Sequence, residues 1–300
     1  MGEMPSNTSS STAAVGIVTV SYGSDAVLPA FLSSVPSSSS RPLYVVVVDN
    51  KPEDGSIADV VRAAGANYAP MTSNLGYGSA INAAVASLPA GIGWLVIANP
   101  DVTIDVGAVD LLIARASADE RIALVGPRIV DENNVVYPSA RAIPSLRLGV
   151  GHALFANLWP TNPWSGAYHN DRSETLETRA TGWLSGAFFL ARRSAFEELG
   201  GFDESYFMYF EDVDLGYRLG KAGWLCVYEP EARVVHTGAH STSSDSGTMA
   251  REHHISARKF LSRKYSGWTL WPLRIALRAG LSLRLAIVQS RSRRSGNSVH

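Results

Sequence analysis

Three apolar segments of strand length, rich in β-branched residues, constrain the fold of this 300-residue chain more than any other feature. They are Val15–Val20, Leu43–Val48 and Trp94–Ala98. Continuous apolar runs of this length are typical of strands buried on both faces, as in a parallel sheet. Between the second and third runs, the segment 80–88 carries apolar residues at helical spacing. The alternation predicts βαβ units, and hence an α/β fold with a mostly parallel sheet.

Polar side chains follow each of these runs. Tyr22 comes after the first run, Asp49 after the second, and Asn99 and Asp101 after the third. The carboxyl ends of parallel strands meet at one edge of a sheet, and ligands bind beyond that edge in open α/β folds. We therefore expect these residues to line a common crevice.

A second group of acids follows the aromatic segment 206–210. Glu211, Asp212 and Asp214 stand where a helix is predicted to begin. Acids at a helix start compensate the helix dipole, which needs no function. That alternative explains one acid better than three, so acid–base chemistry is the more specific interpretation.

Composition predicts a globular protein with a sizeable core. The chain is 46% hydrophobic and 18% charged, and its length suits one large α/β domain with an appendage. The single cysteine, Cys226, lies in an apolar run, which predicts a reduced core residue and a cytosolic protein. We expect a disordered N-terminus over residues 1–13, with neither a secretion signal nor an anchor. A catalytic domain over 14–250 and a basic tail over 251–300 complete the expected organisation.

The tail is set apart by its charge. Residues 251–300 contain eleven of the 26 Lys and Arg residues but one of the 27 acids. Within it, the segment 268–288 mixes tryptophan, leucine and isoleucine with three arginines. Such a helix suits the interface of an anionic membrane, and the alternative is a helix packed on the main domain. Nucleic acid is not expected as a partner, because no recognised nucleic-acid module accompanies the basic run.

Phosphate-loop signatures are missing from the sequence. There is no Gly-x4-Gly-Lys-Ser/Thr motif, and Ile81 stands where the third glycine of a dinucleotide fingerprint beginning at Gly76 would lie. A Rossmann dehydrogenase is therefore disfavoured.

Several short motifs, in a specific order and spacing over residues 15–241, resemble the inverting family 2 glycosyltransferases with the GT-A fold. These motifs are Val18–Tyr22, Val48–Asn50 with Asp54–Ser56, Ser73–Tyr77, Asn99–Asp101, Ser185–Leu190 and Gly200–Glu204 running into Glu211 and Asp212. Three longer stretches, Tyr137–Arg141, Trp183–Gly186 and Tyr206–Leu215, are similar to a particular branch of that family. Its members transfer L-rhamnose from dTDP-L-rhamnose to polyprenyl-diphosphate-linked N-acetylglucosamine in the assembly of the arabinogalactan cell-wall linker.

The resemblance implies a nucleotide-sugar site formed by Tyr22, Asp49, Asn74, Gly76 and Asn99. Asp49 matches the acid that reads the base, since a carboxylate can accept from the N3–H of thymine or uracil. A turn residue that caps the next helix is the alternative.

Asp101 matches the last acid of the family's Asp-x-Asp motif, which holds Mg²⁺ or Mn²⁺. A hard cation there bridges the diphosphate and offsets its charge. The first acid of the motif is replaced by Asn99, which can form a hydrogen bond but brings no charge. His236 matches a C-terminal metal ligand, with His240 as the alternative, and an imidazole ligand favours Mn²⁺.

The resemblance also implies that Asp212 is the general base, which deprotonates the acceptor hydroxyl during an inverting transfer. Arg141, Trp183 and Glu211 are candidates for binding the acceptor, since arginine forks fit phosphate oxygens and flat rings fit sugar faces. A polyprenyl acceptor would place the enzyme in the cytoplasm, peripherally on the inner face of the cell membrane.

Three alternatives remain open from the sequence. Another family 2 enzyme could use a UDP- or GDP-sugar. A nucleotidyltransferase would need a basic, glycine-rich loop after its first strand, which the segment 18–24 lacks. A non-catalytic lipid-surface protein would fit the tail but would leave Asp101 and Asp212 unexplained.

Overall fold

The computed structural model describes residues 14–52, 56–145, 176–238 and 246–272, together with 275, 279 and 280. Several predictions lie outside these ranges. They concern the disordered N-terminus over 1–13, the motif residue Asp54, the alternative ligand His240 and most of the basic tail beyond Pro272.

Within the described ranges, a ten-stranded mixed sheet forms the centre of the molecule, beside a small two-stranded sheet. The strands are β1 (Ala14–Ser21), β2 (Leu43–Asp49), β3 (Asn67–Pro70), β4 (Ile92–Ala98), β5 (Val102–Ile104), β6 (Ile122–Val130), β7 (Val136–Tyr137), β8 (Ala140–Arg141), β9 (Arg179–Thr181), β10 (Trp183–Leu184), β11 (Phe188–Arg192) and β12 (Leu225–His236). The main order is β3-β2-β1-β4-β11-β6-β12-β5, with β7 on β6 and β9 on β12, while β8 pairs with β10.

The first four strands of that order are parallel, as the sequence predicts. β11 lies antiparallel between β4 and β6, and β12 runs parallel to β6. Because β4 and β6 both run opposite to β11, their carboxyl ends lie at the same edge of the sheet. That edge therefore gathers the ends of strands from both halves of the chain.

Helices cover both faces of the sheet. They are α1 (Leu28–Ser34), α2 (Ser56–Ala63), α3 (Tyr77–Ser87), α4 (Ala108–Ser117), α5 (Arg193–Glu198), α6 (Glu211–Ala222) and α7 (Ser246–Lys264), followed by a 3₁₀ turn at Trp268–Leu270. Apolar residues of α1, α2 and α4 pack on one face, and those of α3, α5 and α6 pack on the other.

The β-branched runs form strands because both of their faces are buried. In β1, Val15 and Ile17 point into one apolar cluster while Val18 and Val20 point into the other. Burial on both faces is the physical reason why the run is continuous instead of alternating. Cys226 is a buried core residue, as predicted, and burial raises the pKa of its thiol to about 12.

α6 begins at Glu211, at the position that the acidic cluster predicts. It approaches β10 closely at Gly216, where a Cβ atom would lie 2.6 Å from the carbonyl oxygen of Gly182 and from the Cβ of Trp183. Only glycine permits this approach. The contact holds the middle of α6 against Gly182 and Trp183.

α7 crosses the expected domain boundary at residues 250 and 251. Its Phe260 is fully buried, in contact with the rings of Phe210 and Tyr217. Ser256 donates a hydrogen bond of 2.9 Å to the carbonyl oxygen of Met208. The first part of the basic segment is therefore packed on the main domain, because α7 has an apolar face that the charge count does not reveal.

The exposed apolar side chains after α7 form a different surface. Trp268, Trp271 and Ile275 are all more than half exposed. Among the residues that the structure describes, no helix combines the length and the apolarity needed to cross a bilayer.

Candidate active site

Asp49 ends β2 and is held by two hydrogen bonds. The backbone N–H of Lys51 donates to Oδ1 over 2.9 Å, and the hydroxyl of Tyr68 donates to Oδ2 over 2.9 Å. Burial, reinforced by the bond to Asp49, raises the pKa of Tyr68 to about 12, so this hydroxyl stays protonated. The carboxylate is fixed in direction and keeps free lone pairs for a ligand. Sequence reasoning missed Tyr68, which lies in the short strand β3 and belongs to no motif.

The loop before α3 lies beside the end of β2. Asn74 Oδ1 accepts from the N–H of Gly76 over 3.0 Å and from Nδ2 of Asn50 over 3.3 Å. Gly76 has φ +94°, and a Cβ atom there would collide with the carbonyl of Phe207. A glycine is required on both counts. Tyr22, at the end of β1, is exposed at the same edge of the sheet.

Asp101 and His236 come together where β12 pairs with β5. The register places His236 opposite Val102, and the imidazole Nε2 lies 3.1 Å from Asp101 Oδ1. Asn99 Nδ2 lies 3.4 Å from the same nitrogen. The structure thus brings together three residues that the sequence assigns to the donor and metal site. Within the described part of the chain, no cluster of three or more His, Cys, Asp or Glu side chains is arranged to hold a metal ion.

The donor set of this pair fits a divalent cation. Its two side chains are largely buried and offer one carboxylate oxygen and one imidazole nitrogen. A hard cation at a diphosphate is bound through few protein atoms, and phosphate oxygens and water supply the remaining ligands. The asparagine at position 99 lowers the negative charge of the site but does not block it.

Asp212 lies in the first turn of α6 with both carboxylate oxygens accepting hydrogen bonds. The N–H of Gly186 donates to Oδ2 over 2.9 Å, and the N–H of Val213 donates to Oδ1 over 2.8 Å. Burial raises the pKa of Asp212, while these bonds and the positive charge of Arg141 act in the opposite direction. The carboxylate is therefore oriented and carries enhanced basicity.

Glu211 is placed differently from its neighbour. It is only 7% exposed, and its Oε2 has no hydrogen-bond partner among the described residues. Burial, followed by the charge of Asp212, raises the pKa of Glu211 to about 8. With a pKa of about 8, Glu211 holds its proton at neutral pH, and the pKa of Asp212 is raised as well. The predicted contact of Glu211 with the acceptor stays a prediction.

Asp214, the third acid, is fully buried in an ion-pair network. It accepts from Arg218 over 2.6 Å and from Arg263 of α7 over 3.0 Å. Arg263 also bonds to Asp203, in the loop before α6. Asp214 therefore ties α7 to α6, a structural role that explains why an acid beyond Glu211 and Asp212 is present.

Tyr77, the first residue of α3, lies among the carboxylates of the site. Burial and the charges of Glu211, Asp212 and Asp101, in that order, raise its pKa well above the usual value. Its hydroxyl donates to the carbonyl oxygen of Gly186 over 2.9 Å. Sequence reasoning missed its position, although Tyr77 ends the motif that contains Asn74 and Gly76.

Arg141 and Trp183 face each other across the small β8–β10 sheet. The Arg141 guanidinium carbon lies 5.8 Å from the centroid of the Trp183 ring and 5.9 Å from that of Tyr137. Tyr137 in turn meets the ring of His236 edge-on at 6.4 Å. The row of neighbouring side chains therefore runs from His236 through Tyr137 and Arg141 to Trp183. Tyr137 was not among the predicted site residues, although it begins the stretch that contains Arg141.

Residues 13–254 match the sequence profile of a family described as "Glycosyltransferase like family 2". The chain belongs to this family. The glycosyltransferase is 46% identical over 290 residues to the N-acetylglucosaminyl-diphospho-decaprenol L-rhamnosyltransferase of Mycobacterium tuberculosis, and the alignment covers 93% of this chain and 94% of that protein. The resemblance to family 2 is confirmed.

Two solved structures share the fold of the glycosyltransferase. A mannosyltransferase from Pyrobaculum calidifontis, solved with GDP-Man and Mn²⁺, gives a TM-score of 0.56 at 15% identity over 89% of this chain and 69% of the other. GalNAc-T7, solved with UDP, GalNAc and Mn²⁺, gives 0.54 at 16% identity over 90% of this chain and 55% of the other. These likenesses concern the fold alone, and they confirm the predicted α/β architecture of the GT-A type.

Proposed function

We propose that this glycosyltransferase transfers L-rhamnose from dTDP-L-rhamnose to a polyprenyl-diphosphate-linked N-acetylglucosamine, with inversion, during assembly of the arabinogalactan cell-wall linker. The identity of the sugar and of the acceptor rests on the relative from Mycobacterium tuberculosis, whose name states both an L-rhamnosyl transfer and a decaprenol-diphosphate-linked N-acetylglucosamine. An alignment that spans nearly the whole of both chains supports the same transferred sugar and the same class of acceptor here.

One observation carries the chemistry of the proposal. The proposed base Asp212 and the turn that carries Asn99 and Asp101 meet at adjacent residues: the N–H of Gly186 donates to Asp212 Oδ2 over 2.9 Å, and the N–H of Asn99 donates to the carbonyl oxygen of Ala187 over 2.9 Å. An inverting transfer needs these two groups near one sugar. The base must reach the acceptor hydroxyl while the leaving diphosphate is held elsewhere.

On the donor side, Asp49 would accept from the N3–H of thymine, with Tyr22 and the loop from Asn74 to Gly76 beside the nucleoside. Asn99 would bond to the donor's sugar hydroxyls. Asp101 and His236 would hold Mg²⁺ or Mn²⁺, whose chemistry when bound is to offset the charge that gathers on the departing diphosphate. Because one ligand is an imidazole, Mn²⁺ should bind more tightly than Mg²⁺.

On the reacting side, Asp212 takes the proton of the acceptor hydroxyl. The acceptor oxygen forms a bond to the anomeric carbon as the bond from that carbon to the diphosphate oxygen breaks, and the configuration inverts. Two backbone N–H groups aim the Asp212 carboxylate. Glu211 retains its proton beside it, so the pair does not carry two adjacent negative charges.

For the acceptor, Arg141 would bind the lipid diphosphate and Trp183 would stack on N-acetylglucosamine. The Arg141 guanidinium carbon lies within 6 Å of the ring centroids of both Tyr137 and Trp183, and its Nε donates to the carbonyl oxygen of Pro138 over 2.7 Å. An arginine fixed in this way loses little further side-chain entropy when a diphosphate binds, because its guanidinium group is already oriented.

A lipid-linked acceptor requires the enzyme to work at a membrane. We propose that the exposed side chains of Trp268, Trp271 and Ile275, with the basic segment that follows, attach it to the anionic inner face of the cell membrane. Tryptophan favours the membrane–water interface, and arginine favours anionic headgroups.

A transfer assay with a donor panel tests the proposal. Purified enzyme is incubated with a lipid-linked N-acetylglucosamine acceptor, with Mg²⁺ or Mn²⁺, and separately with dTDP-rhamnose, UDP-sugars and GDP-sugars. We expect mass spectrometry of the lipid to show the addition of one deoxyhexose from dTDP-rhamnose alone. Transfer from a UDP- or GDP-sugar instead would contradict the choice of donor, and no transfer from any donor would contradict the function.

A further inference from the structure

We propose that Tyr77 is a positioning residue for the transfer, whose hydroxyl fixes the segment Ser185–Ala187 that aims the general base. Through this segment Tyr77 connects the loop of residues 74–76, called the donor loop below, to Asp212. The inference rests on the role proposed above for Asp212. The proposed function gives no role to Tyr77 itself.

Two hydrogen bonds on one glycine make the connection. The Tyr77 hydroxyl donates to the carbonyl oxygen of Gly186 over 2.9 Å, and the N–H of Gly186 donates to Asp212 Oδ2 over 2.9 Å. A single residue thus accepts from Tyr77 on one side and donates to the base on the other.

A glycine in this position needs an external restraint. Without a Cβ atom it has a wide range of backbone conformations, so its N–H direction is weakly determined by the local chain. The hydroxyl of Tyr77 fixes the peptide plane that follows Gly186, and this limits the rotation that would turn the N–H away from Asp212. A Cβ atom at Gly186 would lie 3.6 Å from Asp212 Oδ2 and 3.7 Å from Tyr77 Cε1, so the glycine lies directly between the two side chains.

The same short segment also contacts the metal side of the site. The N–H of Asn99 donates to the carbonyl oxygen of Ala187 over 2.9 Å, and the N–H of Ala187 donates to Ser185 Oγ over 3.3 Å. Ser185–Ala187 is therefore in contact with the donor loop through Tyr77, with the metal pair through Asn99, and with the base.

Tyr77 is itself anchored at two further points. Its backbone N–H donates to the carbonyl oxygen of Phe207 over 3.1 Å, and its ring lies 6.2 Å from the ring of Phe202. It directly follows Gly76 of the donor loop. A tyrosine whose backbone directly follows the donor loop and whose hydroxyl binds Gly186 can hold donor and base at a fixed separation, as efficient transfer requires.

The variant Tyr77→Phe removes the hydroxyl and keeps the ring. We expect kcat to fall about tenfold, because one restraint on the base is lost, while the donor KM changes by less than about twofold. Tyr44→Phe, at the opposite end of β2 from the site, is the matched control and should change neither parameter. A Tyr77→Phe enzyme that is folded and within about twofold of the parent kcat would overturn the proposal.

A second pair of measurements separates this inference from the proposed function. In the Asp212→Asn background, adding Tyr77→Phe should reduce the residual rate by less than about twofold, because the tyrosine acts through the carboxylate. A further tenfold loss would overturn the positioning role. Full activity of Asp212→Asn alone would instead overturn the base assignment. If Tyr77→Phe does not fold, Ser185→Ala is the second variant, because it removes the hydrogen bond from the N–H of Ala187 and so loosens the same segment. A lowered kcat with an unchanged donor KM would support the proposal. An unchanged kcat would overturn it.

Discussion

His236 Nε2 lies 3.1 Å from Asp101 Oδ1, although the two residues are far apart in the sequence. The contact exists because β12 pairs with β5 immediately after Asp101. In the proposed function, His236 would supply a second protein ligand for the cation beside Asp101, where the Asp-x-Asp motif has Asn99 in place of its first acid.

Removing either member of this pair should change the metal dependence of transfer. We expect Asp101→Ala to lower kcat/KM about 100-fold, because a ligand that holds the cation at the diphosphate is lost. His236→Ala should raise the Mn²⁺ concentration for half-maximal activity at least about tenfold. Activity is measured against Mn²⁺ concentration. Asp105→Asn is the control, since Asp105 pairs with Arg233 over 2.9 Å and should not affect the metal response. An unchanged Mn²⁺ curve in His236→Ala would show that the histidine is not a ligand.

Glu211 should make the protein less stable as the pH rises. Burial and the charge of Asp212 raise its pKa from 4.5 to about 8, so between these values the folded state binds a proton that the unfolded state has released. The free energy of unfolding must therefore fall as the pH increases through this window. Because the amide in Glu211→Gln cannot ionise, we expect the free energy of unfolding to fall less steeply with pH in this variant. The fall that remains comes from Asp212, whose pKa is also raised.

The measurement is urea unfolding at several pH values between 5 and 8.5. Glu231→Gln, at an exposed carboxylate, should reproduce the parent slope. A parent-like decline in Glu211→Gln would mean that the buried carboxyl is not protonated in the folded state.

Helix α7 should be an integral part of the catalytic domain. Phe260→Ala removes a fully buried ring that packs on Phe210 and Tyr217, and we expect it to lower the free energy of unfolding by about 3–5 kcal/mol. Val106→Ala, at a side chain that is 82% exposed, should be close to neutral. Chemical denaturation checks both. A small effect of Phe260→Ala would indicate that α7 is not docked on α6 in solution.

The apolar surface after α7 should control membrane association. Replacing Trp268, Trp271 and Ile275 by serine should sharply reduce co-sedimentation with anionic vesicles, because the side chains that enter the interface are lost. Deletion after Tyr265 should act in the same direction. Leu176→Ser is the control, as Leu176 is 65% exposed elsewhere on the surface. Vesicle binding equal to that of the parent in the triple variant would refute the attachment surface.

The sequence predicted the parallel half of the sheet because Val15, Ile17 and their neighbours are apolar on both faces, a pattern that few other structures produce. It also predicted the start of α6 at Glu211. It could not predict that β11 enters the sheet antiparallel, because pairing between distant strands leaves no local signal. The docking of α7 was not predicted either, because the charge count of this segment does not reveal the apolar face that contains Phe260.

The site was predicted in part. Asp101 and His236 were assigned to the metal from their motifs, and the structure brings them together. Tyr68, Tyr77 and Tyr137 were not assigned, because an aromatic residue in a strand or at a helix start usually belongs to the core. Their hydroxyl and ring contacts depend on chain segments far away in sequence. The different environments of Glu211 and Asp212 also arise only in three dimensions, since adjacent residues of one helix point in different directions.

The central claim is that Asp212 removes the proton of the acceptor hydroxyl, and the kcat of Asp212→Asn tests it most directly. The amide keeps the size of the side chain but cannot take a proton. With dTDP-rhamnose, the lipid-linked acceptor and Mn²⁺ all saturating, we expect kcat to fall at least about 1000-fold while the melting temperature and donor affinity stay close to those of the parent. An Asp212→Asn enzyme that retains a kcat close to the parent value would contradict the account.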